Sequence, residues 1–229
     1  MTKPRDLAAG VFSSWLQRMR AALAEEDEAD VPCSGCSACC ASSHFVHVRP
    51  EETQTLARIP RELLFKAPGL PEGTMILGYD QNGHCPMLVG GKCSIYEHRP
   101  LTCRTYDCRV FAAARIAADK HLISQRTRRW KFTYLTQDDR DQHAAVQAAA
   151  RFLRDRADHF PDGAAPRDPV QVAVLAVKVS DVFLEADNAS AKTGRAVPDH
   201  EIAAAVMKAS QSFEARRDGG RALSAQERG

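Results

Sequence analysis

The chain has 229 residues, enough for a buried core and of a size for one domain with an appendage. Its 31 Lys and Arg stand against 29 Asp and Glu, a net charge of +2, which excludes a global field that would draw it to nucleic acid or to a membrane surface; such a partner would need a local patch. All eight cysteines fall before residue 109, four of them inside Cys33-Ser34-Gly35-Cys36-Ser37-Ala38-Cys39-Cys40. Thiols scattered for core packing would not stop halfway along a chain, so the first half reads as a metal-holding region.

In chain order, Leu7, Val11, Trp15, Met19 and Leu23 recur every fourth residue and predict an amphipathic helix over 5–26. Its acidic end, Glu25 to Asp30, opposes the helix dipole. This is not the apolar run of a signal peptide, and no uninterrupted apolar segment of roughly 20 residues is present to span a bilayer. The expectation is therefore a cytoplasmic protein with no membrane partner, whose thiols are reduced metal ligands rather than disulfides. Val31-Pro32 leads, extended, into the cysteines. Residues 44–48 alternate like a short strand, a helix of two or three turns ends before Pro60, and residues 61–73 read as loop. Residues 74–79 and 85–89 flank Gln81-Asn82-Gly83, a hairpin signal, and Gly90-Gly91 turns the chain into 92–96; together they predict three antiparallel strands, with Pro86 at an edge or bulge.

After Arg99-Pro100 the pattern turns helical, and Arg126 to Tyr134 alternates like one more strand. Helices follow near 139–159, 169–187 and 199–217, with Asp199 as an N-cap and a disordered tail over 218–229. The fold class is α+β: a small cysteine-rich metal-binding region with a short antiparallel sheet (31–110), packed against an N-terminal amphipathic helix (1–30) and a C-terminal helical layer (111–217).

Cys33/Cys36 and Cys36/Cys39 have the Cys-x2-Cys spacing, whose turn brings two sulfurs to one side while backbone N–H groups face the thiolates. Together they form the Cys-x2-Cys-x2-Cys run of ferredoxin-type iron-sulfur sites, and structural zinc uses the same turn. Cys39 and Cys40, as neighbours, point apart and suit two sites or two atoms of one cluster. One partition sets Cys33, Cys36, Cys39 and Cys85 at one centre, and Cys40, Cys93, Cys103 and Cys108 at another; other groupings are nearly as good. Four thiolates around a divalent ion carry a charge of about −2, which Lys92, Arg99, Arg104 and Arg109 could cover. Zinc and iron, including an iron-sulfur cluster, fit these residues about equally.

Cys33-x2-Cys36-x2-Cys39-Cys40, then Cys85-Pro86-Met87-Leu88, then Cys93-Ser94-Ile95-Tyr96-Glu97-His98-Arg99-Pro100-Leu101-Thr102-Cys103-Arg104-Thr105-Tyr106-Asp107-Cys108 resembles the bacterial CxxCxxCC cysteine-cluster family, a zinc- or iron-chelating domain. The likeness covers about residues 30–110. It implies that Cys33, Cys36, Cys39, Cys40, Cys85, Cys93, Cys103 and Cys108 are one metal-binding set, and it implies little about activity. Flagellin lysine N-methylases are similar in carrying such a cluster, which keeps an iron-sulfur enzyme, a methyltransferase or oxidoreductase acting on a protein or other substrate, as an alternative. No glycine-rich strand-to-helix turn for a nucleotide-like cofactor accompanies it.

His44, His47, His84 and His98 could each replace a thiolate, though partly exposed or hydrogen-bonded histidines are the plainer reading. Glu97 and Asp107 could act as outer acceptors, with a salt bridge to Arg99 or Arg104 plainer still. Arg126, Arg128, Arg129 and Lys131, interleaved with Trp130, Phe132 and Tyr134, are the one basic and aromatic stretch, and a nucleic-acid-binding zinc module is the second alternative. An alternating strand more often packs its aromatics inward and solvates its charges, which disfavours nucleic acid as a partner.

Overall fold

The computed structural model describes residues 5–29, 31, 35–66, 68–161 and 164–226, with side chains as far as residue 218. The described residues form small sheets and separate helices, an α+β protein, and divide into two compact units. A helical unit gathers Met1–Glu28, Asp107–Asp119 and Thr127–Gly229; a cysteine-rich unit gathers Ala29–Tyr106 and Lys120–Arg126.

In the helical unit the expected helix over 5–26 is corrected. It begins as strand β1 (Leu7–Val11), paired in parallel with β7 (Trp130–Thr133), and only then becomes α1 (Phe12–Leu23). Two things override the four-residue period at its start. Gly10 adopts φ +93° at a bulge, which no helix interior allows, and the Leu7 N–H is taken by the Arg129 carbonyl at 2.7 Å. From Phe12 onward the period holds, and Phe12, Trp15, Leu16, Met19 and Ala22 are buried on one face. Val11 offers α1 no side-chain cap, but Asp139 Oδ1 accepts from the Ser13 N–H at 2.9 Å. The same carboxylate closes a capping box with Thr136 at the start of α6 (Gln137–Asp155), so one buried side chain caps two helices. Those donors, Ser13 foremost, hold the Asp139 carboxyl well below the usual carboxylate range.

α4 (Arg109–Ala114), α7 (Pro169–Thr193) and α8 (Asp199–Gln226) complete the unit. α6 and α7 pack against each other, and both bury small residues: Ala145, Ala149 and Ala150 on α6, Ala173, Ala176 and Val177 on α7. Asp168 caps α7, and Gly194 at φ +67° ends it, six residues beyond the expected 187. α8 likewise continues through Gly219-Gly220 to Gln226, where a tail was expected from 218; the alanine, arginine, glutamine and leucine of 221–226 are strong helix formers and outweigh about 1 kcal/mol per glycine. The aromatic stretch at 126–134 also changes: Arg126 closes α5 (His121–Thr127), and the strand starts at Trp130.

In the cysteine-rich unit a three-stranded antiparallel sheet runs β2 (Val46–Val48), β4 (Met75–Leu77), β3 (Leu64–Phe65), with Val46 and Leu64 both opposite Leu77. Val46, Val48, Ile59, Leu77, Met87 and Ile95 form its apolar core. The hairpin expected between 74–79 and 85–89 is corrected. Asp80 closes residues 80–84 into a turn, accepting from the Asn82 and His84 amides, and Cys85 then donates its N–H to the Cys40 carbonyl instead of a strand partner. Strand 74–79 therefore pairs with β2 and β3. A separate two-residue hairpin, β5 (Leu88–Val89) with β6 (Lys92–Cys93), forms around Gly90-Gly91.

Candidate metal centre

Seven of the eight candidate ligands, Cys36, Cys39, Cys40, Cys85, Cys93, Cys103 and Cys108, are described, all as thiols. Cys33 lies outside the described residues. Six of the seven belong to the cysteine-rich unit and Cys108 to the helical unit.

Cys36, Cys39 and Cys40 sit in the turn that crosses residues 36–42, where the Ser37 and Cys39 carbonyls accept from the Ala41 and Ser42 amides. The turn is fastened to the 80–85 segment twice, by Cys85 N–H to the Cys40 carbonyl at 2.7 Å and by Ser43 N–H to the Gly83 carbonyl at 2.8 Å. Gly83 is required there: its φ is +77°, and a Cβ would lie 2.3 Å from Ser43 Oγ. Cys85 and Cys93 pack beside the apolar core, Cys93 opposite Leu88 in the β5–β6 hairpin. Cys103 lies on α3 (Leu101–Thr105), which is short yet firmly placed: Glu52 accepts from the Leu101 amide at its start, and Thr102 Oγ1 donates to the His47 carbonyl at 2.9 Å.

The thiols of Cys40, Cys85 and Cys93 each act electrostatically on Cys103, and Cys93 acts on Cys85. Removal from water first, then the fields of Cys40, Cys85 and Cys93, push the Cys103 thiol up to about 12, although part of the residue reaches solvent; the Arg99 charge acts against them. Burial and Cys93 raise Cys85 in the same way. Among the described residues no three His, Cys, Asp or Glu side chains already stand in an array that could hold a metal ion. The donor chemistry nonetheless fits zinc or iron, since thiols from three separate segments of one unit, Cys40, Cys85 and Cys93, all act on the Cys103 thiol.

Cys108 has a different setting. It is buried, and Trp130 Nε1 donates to its sulfur at 3.3 Å within the helical unit. Beside it, Asp107 and Arg109 form a buried ion pair at 2.8 Å, in which Asp107 also accepts from Trp15 Nε1 at 2.8 Å and Arg109 donates to the Ala9 carbonyl. The salt bridge expected from Asp107 to Arg99 or Arg104 is therefore made to Arg109, while Arg104 faces Glu52 and Arg99 stacks on Tyr96. Lys92, Glu97, His47 and His84 are exposed, and the His44 ring lies 6.5 Å from that of Tyr106. Trp130 is buried, Phe132 packs on Phe12 and Trp15, and the Tyr134 hydroxyl meets His143 Nδ1 at 2.7 Å, so the aromatics of the basic stretch face inward. Glu52 and Ser43 were not singled out from sequence, and Gly83 was read there only as part of a hairpin signal.

No helix among the described residues is long and apolar enough to cross a membrane. The chain matches no curated protein and no solved structure. Residues 32–130, a little under half of the chain and reaching twenty residues beyond the stretch read from the motifs, match the model of the CxxCxxCC family, described as a "putative zinc- or iron-chelating domain".

Proposed function

We propose that this protein binds zinc or iron through its cysteine-rich unit, with Cys40, Cys85, Cys93 and Cys103 as one centre. Cys33, Cys36 and Cys39 keep the Cys-x2-Cys-x2-Cys run as a second ligand set, and Cys85 joins Cys40 rather than that run. The observation that carries the reading is the convergence of thiols from a turn, a hairpin and a helix, tied by the Cys85–Cys40 backbone bond. Because the thiols are near but not in a ligating array, binding draws them together and links three segments of the unit. A bound zinc ion would supply such a cross-link, and iron or an iron-sulfur cluster would add electron transfer.

Purification without air or chelator, followed by elemental analysis, acid-labile sulfide assay and an absorption spectrum, tests this. A colourless protein holding zinc, or a brown one holding iron and sulfide, supports the reading and selects the metal. Cys103→Ser should lower the metal content by one centre. Wild-type protein without any tightly held transition metal refutes it.

A further inference from the structure

Arg99, in the cysteine-rich unit, is held against an aromatic face. Its guanidinium carbon sits 3.7 Å from the centroid of the Tyr96 ring, and its own carbonyl accepts from Arg104 Nε at 3.0 Å. The next residue, Pro100, opens α3, and the Pro100 carbonyl accepts the Cys103 N–H at 2.8 Å, so one turn carries both the arginine and a candidate ligand. Arg99 Nε is buried and has no hydrogen-bond partner among the described residues. A buried charged donor without an acceptor is costly, and a site that retains one commonly meets its acceptor when a ligand arrives. Arg104 is directed to Glu52, and Lys92 is exposed.

Four thiolates on a divalent ion leave an excess charge of about −2, and each ligand sulfur still accepts hydrogen bonds that fix its orientation. We infer that Arg99 is the positioning residue of the Cys40, Cys85, Cys93 and Cys103 centre: its Nε–H hydrogen-bonds a metal-bound thiolate, its charge offsets the surplus, and Tyr96 clamps the guanidinium in place. The inference rests on the centre proposed above. A lysine could supply the charge but neither the planar stacking on Tyr96 nor the Nε–H at that position.

The test uses the full-length protein, wild type, Arg99→Met, Arg99→Lys and Tyr96→Leu, loaded with zinc and titrated with a chromophoric chelator. Cobalt substitution in parallel reads the thiolate-to-metal charge-transfer band. Metal stoichiometry should be unchanged, while zinc affinity falls about 10–100-fold in Arg99→Met and by less in Arg99→Lys and Tyr96→Leu, with the cobalt band displaced in Arg99→Met. Arg61→Gln, which removes an equal charge from an exposed turn of the same unit, should leave affinity within about twofold. Thermal unfolding of the metal-free proteins separates lost folding from lost binding, and Tyr96→Leu, which keeps the arginine, carries the test if Arg99→Met does not fold. Equal zinc affinity and an identical cobalt band in wild type, Arg99→Met and Tyr96→Leu overturn the assignment alone. Wild-type protein that binds neither zinc nor cobalt overturns the centre with it.

Discussion

Asp107 sits between two cysteines of the motif, yet its contacts are those of a structural residue, and Asp107→Asn separates the two roles. Its carboxylate and the Arg109 guanidinium are 2% and 5% exposed, joined at 2.8 Å, with the Arg109 amide and Trp15 Nε1 as further donors to the same oxygens. The amide keeps the volume, removes the charge and turns one acceptor into a donor facing donors. Arg109 is then left buried without its counter-ion, a change of about 3–5 kcal/mol. For a chain of this length that corresponds to a fall in Tm of about 6–20 °C. Both tryptophans of the protein, Trp15 and Trp130, lie buried in the helical unit, so their fluorescence during thermal or urea unfolding of metal-free protein reports on this region. Asp107→Leu combined with Arg109→Met, which removes both charges, should recover much of the loss. Asp107→Asn with an unchanged unfolding midpoint but reduced metal content would refute the reasoning and return Asp107 to the metal centre.

Three further outcomes follow from the same physics. Burial pushes His143 down to about 4, with the Ala113 carbonyl opposing and Arg115 assisting. The unfolded chain therefore takes up a proton first, and stability should decline as pH falls from about 6.5 to about 4 and level off below, by roughly 1–2 kcal/mol after discounting for its half-exposed position; His143→Gln should flatten that part of the curve in urea titrations. Gly83→Ala places a side chain at φ +77° against Ser43 and should cost about 1–3 kcal/mol, with faster loss of metal to chelator than in wild type; an unchanged release rate would show that the Ser43–Gly83 bond does not support the cysteine turn. Cys85 and Cys103, whose thiols are both pushed up, should react with iodoacetamide at neutral pH more slowly in folded metal-free protein than after denaturation, as read by peptide mass spectrometry; equal rates would contradict the upward push on both thiols.

The cysteine run and its motif partners were legible because thiol spacing is a local property, and the C-terminal helices because helical propensity is local too, with Pro198-Asp199 marking the start of the last. Strand β1 was not. Leu7, Val11 and Trp15 satisfy a helical period by themselves, and the partner that recruits Leu7–Val11 into a sheet is Trp130–Thr133, far along the chain. The backbone bond from Cys85 to Cys40 was hidden for a related reason: it joins distant segments, and thiol spacing carries no trace of it. Asp107 was given the wrong arginine because Arg99 and Arg104 are as near in sequence as Arg109, whereas only Arg109 turns into the core beside Trp15.

Asp139 holds the amide of Ser13 across 126 positions, and Leu7 waits similarly for Arg129. The cysteine-rich unit, by contrast, is nearly complete once residue 126 has been made. On a ribosome, where chains emerge from the amino end, this sets a timetable: the thiol-bearing segment gains its neighbours early, while the opening strand waits for residues 129–133 and the helix after it for Asp139. A truncation just before residue 129 would thus leave the amino-terminal strand and helix without their anchors while sparing the cysteine-rich unit.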